Sequence, residues 1–362
     1  MHEPLRRLRN GLSNVEMSDV LNSVRTRSTL HDVAEAAGVS PTTVSLVLAG
    51  KAGKRRISEA TDGRVRIAAE RLGYTPNLLQ RSLRRGRTHV ISFYNAYRNR
   101  EWSDLYMDRM AAAIEHAGGS EGYDVLAHCN FQRDTQETFG FLTGGFADGL
   151  VLFNPATDEP LVPLLRSSGV PTVLIDPRDT DTGLSSVYDD EETGMRLVSE
   201  ALLGQGHRRV AAVVERTNGV LDPTGRLARL RRHFAAEGLE IAVGSVALWN
   251  GSPSGVLAQV LSMSARPTAL FVWHDRAAYA ILEACAVAGV SVPQDLSIVG
   301  YDGLIWPSKS PHVVSSVHVA LDRIGRAAVA TLHRLIEGEP GPLTETIAID
   351  FFPGTTLGPP SR

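Results

Sequence analysis

Cysteine occurs only twice in 362 residues, at Cys129 and Cys285, and each lies in an apolar stretch. Two thiols placed this way exclude a disulfide framework and read as buried thiols. No run of about 18 apolar residues occurs, so no membrane span is expected. The opening MHEPLRRLRNG lacks the apolar core of a secretory signal, which points to a cytoplasmic protein. Catalytic signatures are missing too. There is no P-loop, no G-x-G-x-x-G after a strand, no H-E-x-x-H and no G-x-S-x-G with a central serine. Gly251-Ser252-Pro253-Ser254-Gly255 places proline where the nucleophile would stand. The histidines are scattered, and His207 in GHRR reads as a helix-to-strand turn residue, not a metal ligand. The expectation is a protein that is not an enzyme and that needs no metal or cofactor.

What is present is a polarity of charge. The whole chain is close to neutral, with 37 Lys and Arg against 40 Asp and Glu. Residues 1–88 nevertheless hold 16 basic and 8 acidic residues, and the rest hold 21 basic and 32 acidic. A basic first segment on an acidic body suits phosphate binding by that segment alone. The length fits one small domain plus one or two larger ones, ample for a sizeable core.

The basic segment carries TLHDVAEAAGVSPTTVSLVL, from Thr29 to Leu48. Thr29 is placed to cap a helix, with Asp32 three residues on to complete a capping box. Val33, Ala34 and Ala37 make an apolar face small enough for another helix to come close. Gly38 suits the left-handed end of the first helix. Ser40 caps the second, with Pro41 at its first position. Val44, Val47 and Leu48 face inward, leaving Thr42, Thr43, Ser45 and Leu46 nearer the outside. Two short helices joined by a tight turn make a helix-turn-helix, whose second helix enters the major groove of DNA. A third helix is expected over about 58–72, capped by Ser58, with Val65, Ala68, Ala69 and Leu72 inward. The loop AGKAGKRR between them is glycine-rich and basic. Asn77 to Arg84 is a further short helix candidate, followed by the link Arg85-Gly86-Arg87.

From His89 the pattern changes. Apolar runs such as HVISFY, YDVLAHC, GLVLF and PTVLID alternate with helical stretches. A second set follows, with RVAAVV, GSVALW, ALFVW and LSIVGYD. Alternation of this kind argues for βαβ units in parallel sheets, and two sets argue for two doubly wound subdomains. Ligands bind such sheets beyond the carboxyl ends of the strands.

These stretches together are similar to the lactose/galactose-repressor (LacI/GalR) family. LHDVAEAAGVSPTTVSLVL, ISEATDGRVRIAAERLGYTPN and QRSLRRGRT resemble its DNA-binding headpiece. GYDVLAHCN, FADGLVLF, VPTVLIDP, GHRRVAAV, RPTALFVWHD, GVSVPQDLSIVGYDG and VVSSVHV resemble its effector domain, in the same order, over roughly residues 28–358. The implied fold is an all-α helix-turn-helix headpiece plus an α/β effector domain like a periplasmic binding protein, built of two doubly wound parallel-sheet subdomains. The implied division is an extension at 1–27, the headpiece at 28–76, a hinge helix and linker at 77–87 and the effector and dimerisation domain at 88–358. Its first subdomain would span about 88–188 and 319–341, its second about 189–318 and 342–358. The chain would thus cross between them near 188, 318 and 342, with a last helix at 321–336 returning to the first.

The resemblance also assigns residues. Pro41, Thr42 and Leu46 would face base edges, and Thr43 and Ser45 phosphate. Many relatives carry arginine where Leu46 stands. Leucine cannot read guanine, so Leu46 implies altered operator preference or else belongs to the core. Ala49 replaces a frequent asparagine. Lys54 and Arg55 would touch phosphate, as would Arg81 and Arg84. Thr29, Ser40, Tyr74, Asn77 and Ser82 complete the DNA-facing set. Leu83 matches an apolar wedge that slips between base steps, unless this stretch is only a charged linker. Paired wedges require a homodimer on a pseudo-palindromic operator.

In the cleft, Arg226 matches a ligand-contacting arginine suited to a carboxylate or a polyol, or else is a surface arginine. Asp302 matches a ligand-bonding aspartate. Asp275 would bond ligand or cap the following helix. Trp249 and Trp273 would stack on ligand or fill the core. The first strand departs from the family pattern, and Trp102 or Tyr106 would supply its aromatic role. The expected function is a regulator of transcription, most often a repressor, controlled by a small molecule, with a sugar the base-rate guess and a nucleoside also fitting. Control by a protein partner is the alternative. A two-lobed transport protein would need a signal peptide and no basic headpiece.

Overall fold

A computed structural model describes residues 28–75, 86–95, 104–128, 132–177, 181–217, 220–222, 224–239, 241 and 245–361. The chain divides after Thr88 into two compact units.

The first unit holds α1 (Leu30–Ala37), α2 (Pro41–Leu48), a single 3-10 turn (Gly53–Arg55) and α3 (Glu59–Arg71). Thr29 and Asp32 form the reciprocal capping box, and Gly38 ends α1 at φ 62°. Ser40 caps α2 with Pro41 in its first turn, and Ser58 caps α3. Val33, Ala34, Ala37, Val44, Val47, Val65, Ala68 and Ala69 form the buried core. Its side chains are small, so three short helices approach closely. Leu72 departs from expectation. It is the C-cap of α3 and stays 37% exposed, because the helical stripe ends at Ala69. Gly73 then turns the backbone at φ 58°, and Tyr74 packs against the core in place of Leu72.

The second unit begins with β1 (Val90–Asn95), α4 (Leu105–Ser120), β2 (Asp124–His128), α5 (Thr135–Leu142) and β3 (Gly149–Phe153). There follow α6 (Leu161–Ser168), β4 (Thr172–Ile175), β5 (Ser185–Asp189), α7 (Glu191–Gly204) and β6 (Val210–Val214). A small hairpin, β7 (Arg216–Thr217) and β8 (Val220–Leu221), leads to α8 (Arg226–Ala236), β9 (Val246–Leu248) and α9 (Pro253–Leu261). The remainder is β10 (Ala269–Val272), α10 (Asp275–Ala288), β11 (Ser297–Asp302), β12 (Ser315–His318), α11 (Leu321–Ile336), β13 (Thr344–Ile347) and β14 (Asp350–Phe352).

Two six-stranded sheets result, ordered β13-β5-β4-β3-β1-β2 and β14-β12-β11-β10-β6-β9. Every pairing in them is parallel except β12 with β14. The central strands β3, β4, β6, β10 and β11 are buried on both faces, which is why they read as continuous apolar runs and not as alternating ones. Strand order reverses between β1 and β3 in one sheet and between β6 and β10 in the other, which sets the crevice at their carboxyl ends.

The chain leaves the first sheet after β5, which ends at Asp189, and leaves the second after β12, which ends at His318. The third crossing does not lie near 342. Thr344–Ile347 pairs in parallel with Ser186–Asp189, so these residues belong to the first subdomain, and the chain passes to the second only between Ile347 and Asp350. The sequence around 342 carries a Gly-Pro pair and few apolar residues, so the short edge strand that follows leaves little signal.

Helix α11 lies against α4, and Gly325 marks their closest approach. A Cβ there would stand 2.6 Å from the Ala113 Cβ and 3.0 Å from the Ala113 carbonyl carbon. Backbone cannot yield as a side chain does. Gly325→Ala is therefore expected to lower stability, since overpacking costs about 1–3 kcal/mol and outweighs the helix-propensity gain of about 1 kcal/mol. Scanning calorimetry should show a reduced Tm, and an unchanged or raised Tm would remove the close contact from consideration.

Candidate functional sites

The second helix of the headpiece is exposed at its start. Ser40 Oγ accepts from the Thr43 backbone N–H at 3.2 Å and lies 2.9 Å from Thr43 Oγ1, so the Thr43 hydroxyl is engaged in the cap. Pro41 and Thr42 are exposed, while Thr43, Ser45 and Leu46 are half-buried and Val44 and Val47 are core. Thr42 is thus exposed in the first turn of α2, and its side chain carries both a hydroxyl and a methyl. Thr29 is exposed but its side chain is spent on the cap of α1. Arg55 is exposed at the end of the 3-10 turn that contains Lys54, and Tyr74 is partly buried on the core. Asn77, Arg81, Ser82, Leu83 and Arg84, and likewise Trp102, lie outside the described residues.

In the second unit, strand ends and helix starts bring a polar cluster together. Arg226 opens α8 and is 9% exposed. Its Nε donates to Glu191 Oε1 at 3.1 Å, and its Nη1 donates to the Trp273 carbonyl at 2.5 Å. Its guanidinium lies 3.5 Å from the centre of the Tyr301 ring. The Tyr301 hydroxyl donates to Asp189 Oδ2 at 3.2 Å, and the Asp189 N–H donates to Asp176 Oδ1 at 3.0 Å. Asp302 closes β11 in a rare backbone conformation at φ 112° and is 7% exposed. Such strain gathers at binding sites.

The charges act on one another. Burial works against the Arg226 charge, but Glu191, then Tyr301, Asp302 and Asp189, hold it above its ordinary value. Burial pushes Asp302 up to about 7, with Arg226 opposing and Asp189 adding to the rise. Asp189 is raised by burial and by Asp176 and Glu191. Tyr106, in the first turn of α4, is raised by burial and by Asp176, Asp302 and Asp189, and its ring lies 6.1 Å from that of Phe153 at the end of β3.

The other expected residues are arranged differently. Asp275 is 1% exposed, and its carboxylate accepts from Ser316 Oγ at 2.6 Å and from the Leu304 N–H at 2.7 Å. His274, not Asp275, caps α10. Its Nδ1 accepts from the Ala277 N–H at 3.0 Å, and burial lowers its pKa to about 3, so it stays neutral. Asp275 lines a cavity of about 240 Å³ with Tyr279, Val314 and His318, a cavity that Arg226, Trp249 and Asp302 do not line. Trp273 is 3% exposed within the core, and Trp249 is half-buried with its ring 5.5 Å from that of Trp273. His207 is buried, with its ring nitrogens 2.9 Å from Thr268 Oγ1 and 2.8 Å from the Gly358 carbonyl oxygen. Asp176, Asp189, Glu191 and Tyr301 were missed by sequence reasoning. The rule that ligands meet strand ends would have found Asp176 and Asp189, which close VPTVLID and SSVYD.

Two family models match the chain. One, described as bacterial regulatory proteins of the lacI family, matches residues 29–77, and the other, a periplasmic binding protein-like domain, matches 199–351. The ribose operon repressor of Escherichia coli (strain K12) is 32% identical over 324 residues, covering 86% of this chain and 94% of its own. The transcriptional repressor PurR of Vibrio atlanticus (strain LGP32) is 27% identical over 315 residues, covering 84% and 91%. The fold is similar to that of a lac repressor dimer bound to operator and an anti-inducer, with TM-score 0.77 and 22% identity, over 91% of this chain and 99% of that one.

The pH dependence of stability follows from Asp302. Its folded pKa of about 7 exceeds the ordinary 3.8, so the folded state holds a proton that the unfolded state has lost. Stability is therefore surrendered as pH rises from about 4 to 7. Asp302→Asn removes that loss. In denaturant titrations the variant should gain on the parent steadily between pH 4 and 7, and two parallel curves would show Asp302 ionises normally.

Proposed function

The chain belongs to the lacI family of bacterial regulatory proteins, and on that premise we propose that it is a sequence-specific transcriptional repressor that binds a pseudo-palindromic operator as a homodimer and responds to a sugar. The observation that carries this reading is the 32% identity with a ribose operon repressor over 94% of that protein, headpiece and effector domain alike. The family consists of transcriptional regulators, and the reading here is of a binding protein and not a catalyst. It acts where the chromosome lies, in the cytoplasm, and among the described residues no helix is long and apolar enough to cross a membrane.

The two units supply complementary means. The headpiece offers an exposed Pro41–Thr42 tip on a well-capped helix, and an exposed Arg55 in the 3-10 turn that follows that helix. At its strand ends the effector unit gathers Arg226, Asp189 and Asp302, with Tyr106 in the first turn of α4, groups whose donors and acceptors suit hydroxyls, and Trp249 is half-buried beside Trp273. Sugar binding regulates DNA binding only if the sugar favours one arrangement of the subdomains over the other.

Footprinting on DNA upstream of its own gene, at two salt concentrations, tests the reading. A protected pseudo-palindrome supports it, and the absence of any protection overturns it. On that operator, Thr42→Ala should cost about 1 kcal/mol and relax the preference at one base position, since it removes a base-edge contact. Arg55→Ala should weaken all sequences alike and lower the salt slope by about 0.9, one phosphate contact fewer. Control by a protein partner would show as operator binding that no sugar or nucleoside alters.

A further inference from the structure

The guanidinium of Arg226 could serve a carboxylate or a polyol, and its surroundings decide between them. We propose that Glu191 sets the charge class of the effector, so that the cleft accepts an uncharged, hydroxyl-rich molecule and rejects its carboxylate and phosphate counterparts. This inference rests on the cleft being the effector site.

A carboxylate is read by arginine through two parallel N–H donors. The side-on edge that includes Nε is already filled by Glu191, and Nη1 is tied to the Trp273 carbonyl. The flat face is covered by Tyr301. Glu191 does not swing aside, because Arg229 Nη1 holds its other oxygen at 3.2 Å and its side chain is only 14% exposed. A hydroxyl asks for less. It needs one donor, which the remaining Nη of Arg226 supplies, and it gives its own proton to an acceptor. Acceptors are at hand in Asp302 and Asp189. Asn154, at the end of β3, adds another. Its Oδ1 is buried with no hydrogen-bond partner among the described residues, and its backbone N–H bonds the Ile175 carbonyl at 2.8 Å, one residue before Asp176. A hydroxyl satisfies such an oxygen and a carboxylate does not. An anion placed at Arg226 would also stand beside Glu191, whose charge is the largest of those already acting on that guanidinium.

The test uses the full chain and matched pairs: ribose with ribonate and ribose 5-phosphate, glucose with gluconate and glucose 6-phosphate, and a nucleoside with its monophosphate. Thermal shift and calorimetric titration read binding, and operator binding reads the effect. The expected result is a neutral member that raises Tm and binds at least tenfold more tightly than its charged counterparts. Glu191→Gln should narrow that gap at least tenfold by improving the anion. Glu191→Asp, which keeps the charge, should preserve the gap and serves also if the glutamine variant fails to fold. An anion that binds the parent protein as tightly as its neutral partner overturns the inference and leaves the small-molecule reading standing. So does a glutamine variant that weakens both members equally, since that would make Glu191 a structural residue only. A panel in which nothing binds overturns both.

Discussion

A buried guanidinium must find compensation on every side, and that requirement organises the effector unit. Stripping an ion of water costs several kcal/mol even after relaxation, so Arg226 has to be paired and hydrogen-bonded where it sits. Its partners come from three elements: Glu191 from the start of α7, the Trp273 carbonyl just after β10 and the Tyr301 ring from β11, with α8 itself entered through the turn at Gly225, φ 71°. The pairing continues outward. Arg229 meets both Glu191 and Glu192, and Glu192 also bonds Arg232 and lies 3.1 Å from His233 Nε2. A polar seam thus runs from the core to the surface along the packed faces of α7 and α8.

The same cluster joins the two subdomains. Asp189 ends a strand of the first sheet and Tyr301 lies in the second, so their hydrogen bond spans the crossing point. Close packing protects it. A side chain at Gly194 would meet the Tyr301 hydroxyl at 2.7 Å and the Ile349 side chain at 2.6 Å, which keeps α7 against the third crossing as well as the first. Gly300 does the same for Asp275, whose carboxylate occupies the space a Cβ would take, 2.1 Å from its position. A ligand that changed the angle between the sheets would have to act on these contacts, and the coupling energy available to it is their difference between two arrangements.

Most of the architecture was legible in the residues. Caps at Thr29, Ser40 and Ser58 announced the three headpiece helices, because an N-cap satisfies local backbone donors and is written in neighbouring positions. Apolar runs announced the buried parallel strands for the same reason: burial on both faces leaves no polar alternation. The misplaced third crossing and the exposed Leu72 show where this fails. An edge strand such as Thr344–Ile347 has three exposed residues in four, and a helix stops where its cap forms, not where its periodicity ends.

The amino-acid order by itself determined the headpiece, the alternating βα plan, the basic and acidic halves of the chain and the family, since each rests on local chemistry or on a long colinear match. Only the tertiary structure decided what the cleft residues do. Arg226, Glu191, Asp189, Asp302 and Tyr301 are spread over more than a hundred positions, and their protonation, pairing and remaining donors depend on how closely burial gathers them. Asp275 and His274 make the same point from adjacent positions. Of the two roles open to Asp275, ligand bonding or the helix cap, the cap went to its neighbour His274, kept neutral by burial, while the Asp275 carboxylate is held by Ser316 and Leu304. Electrostatic roles are set by distance and desolvation in three dimensions, and neither is written along the chain.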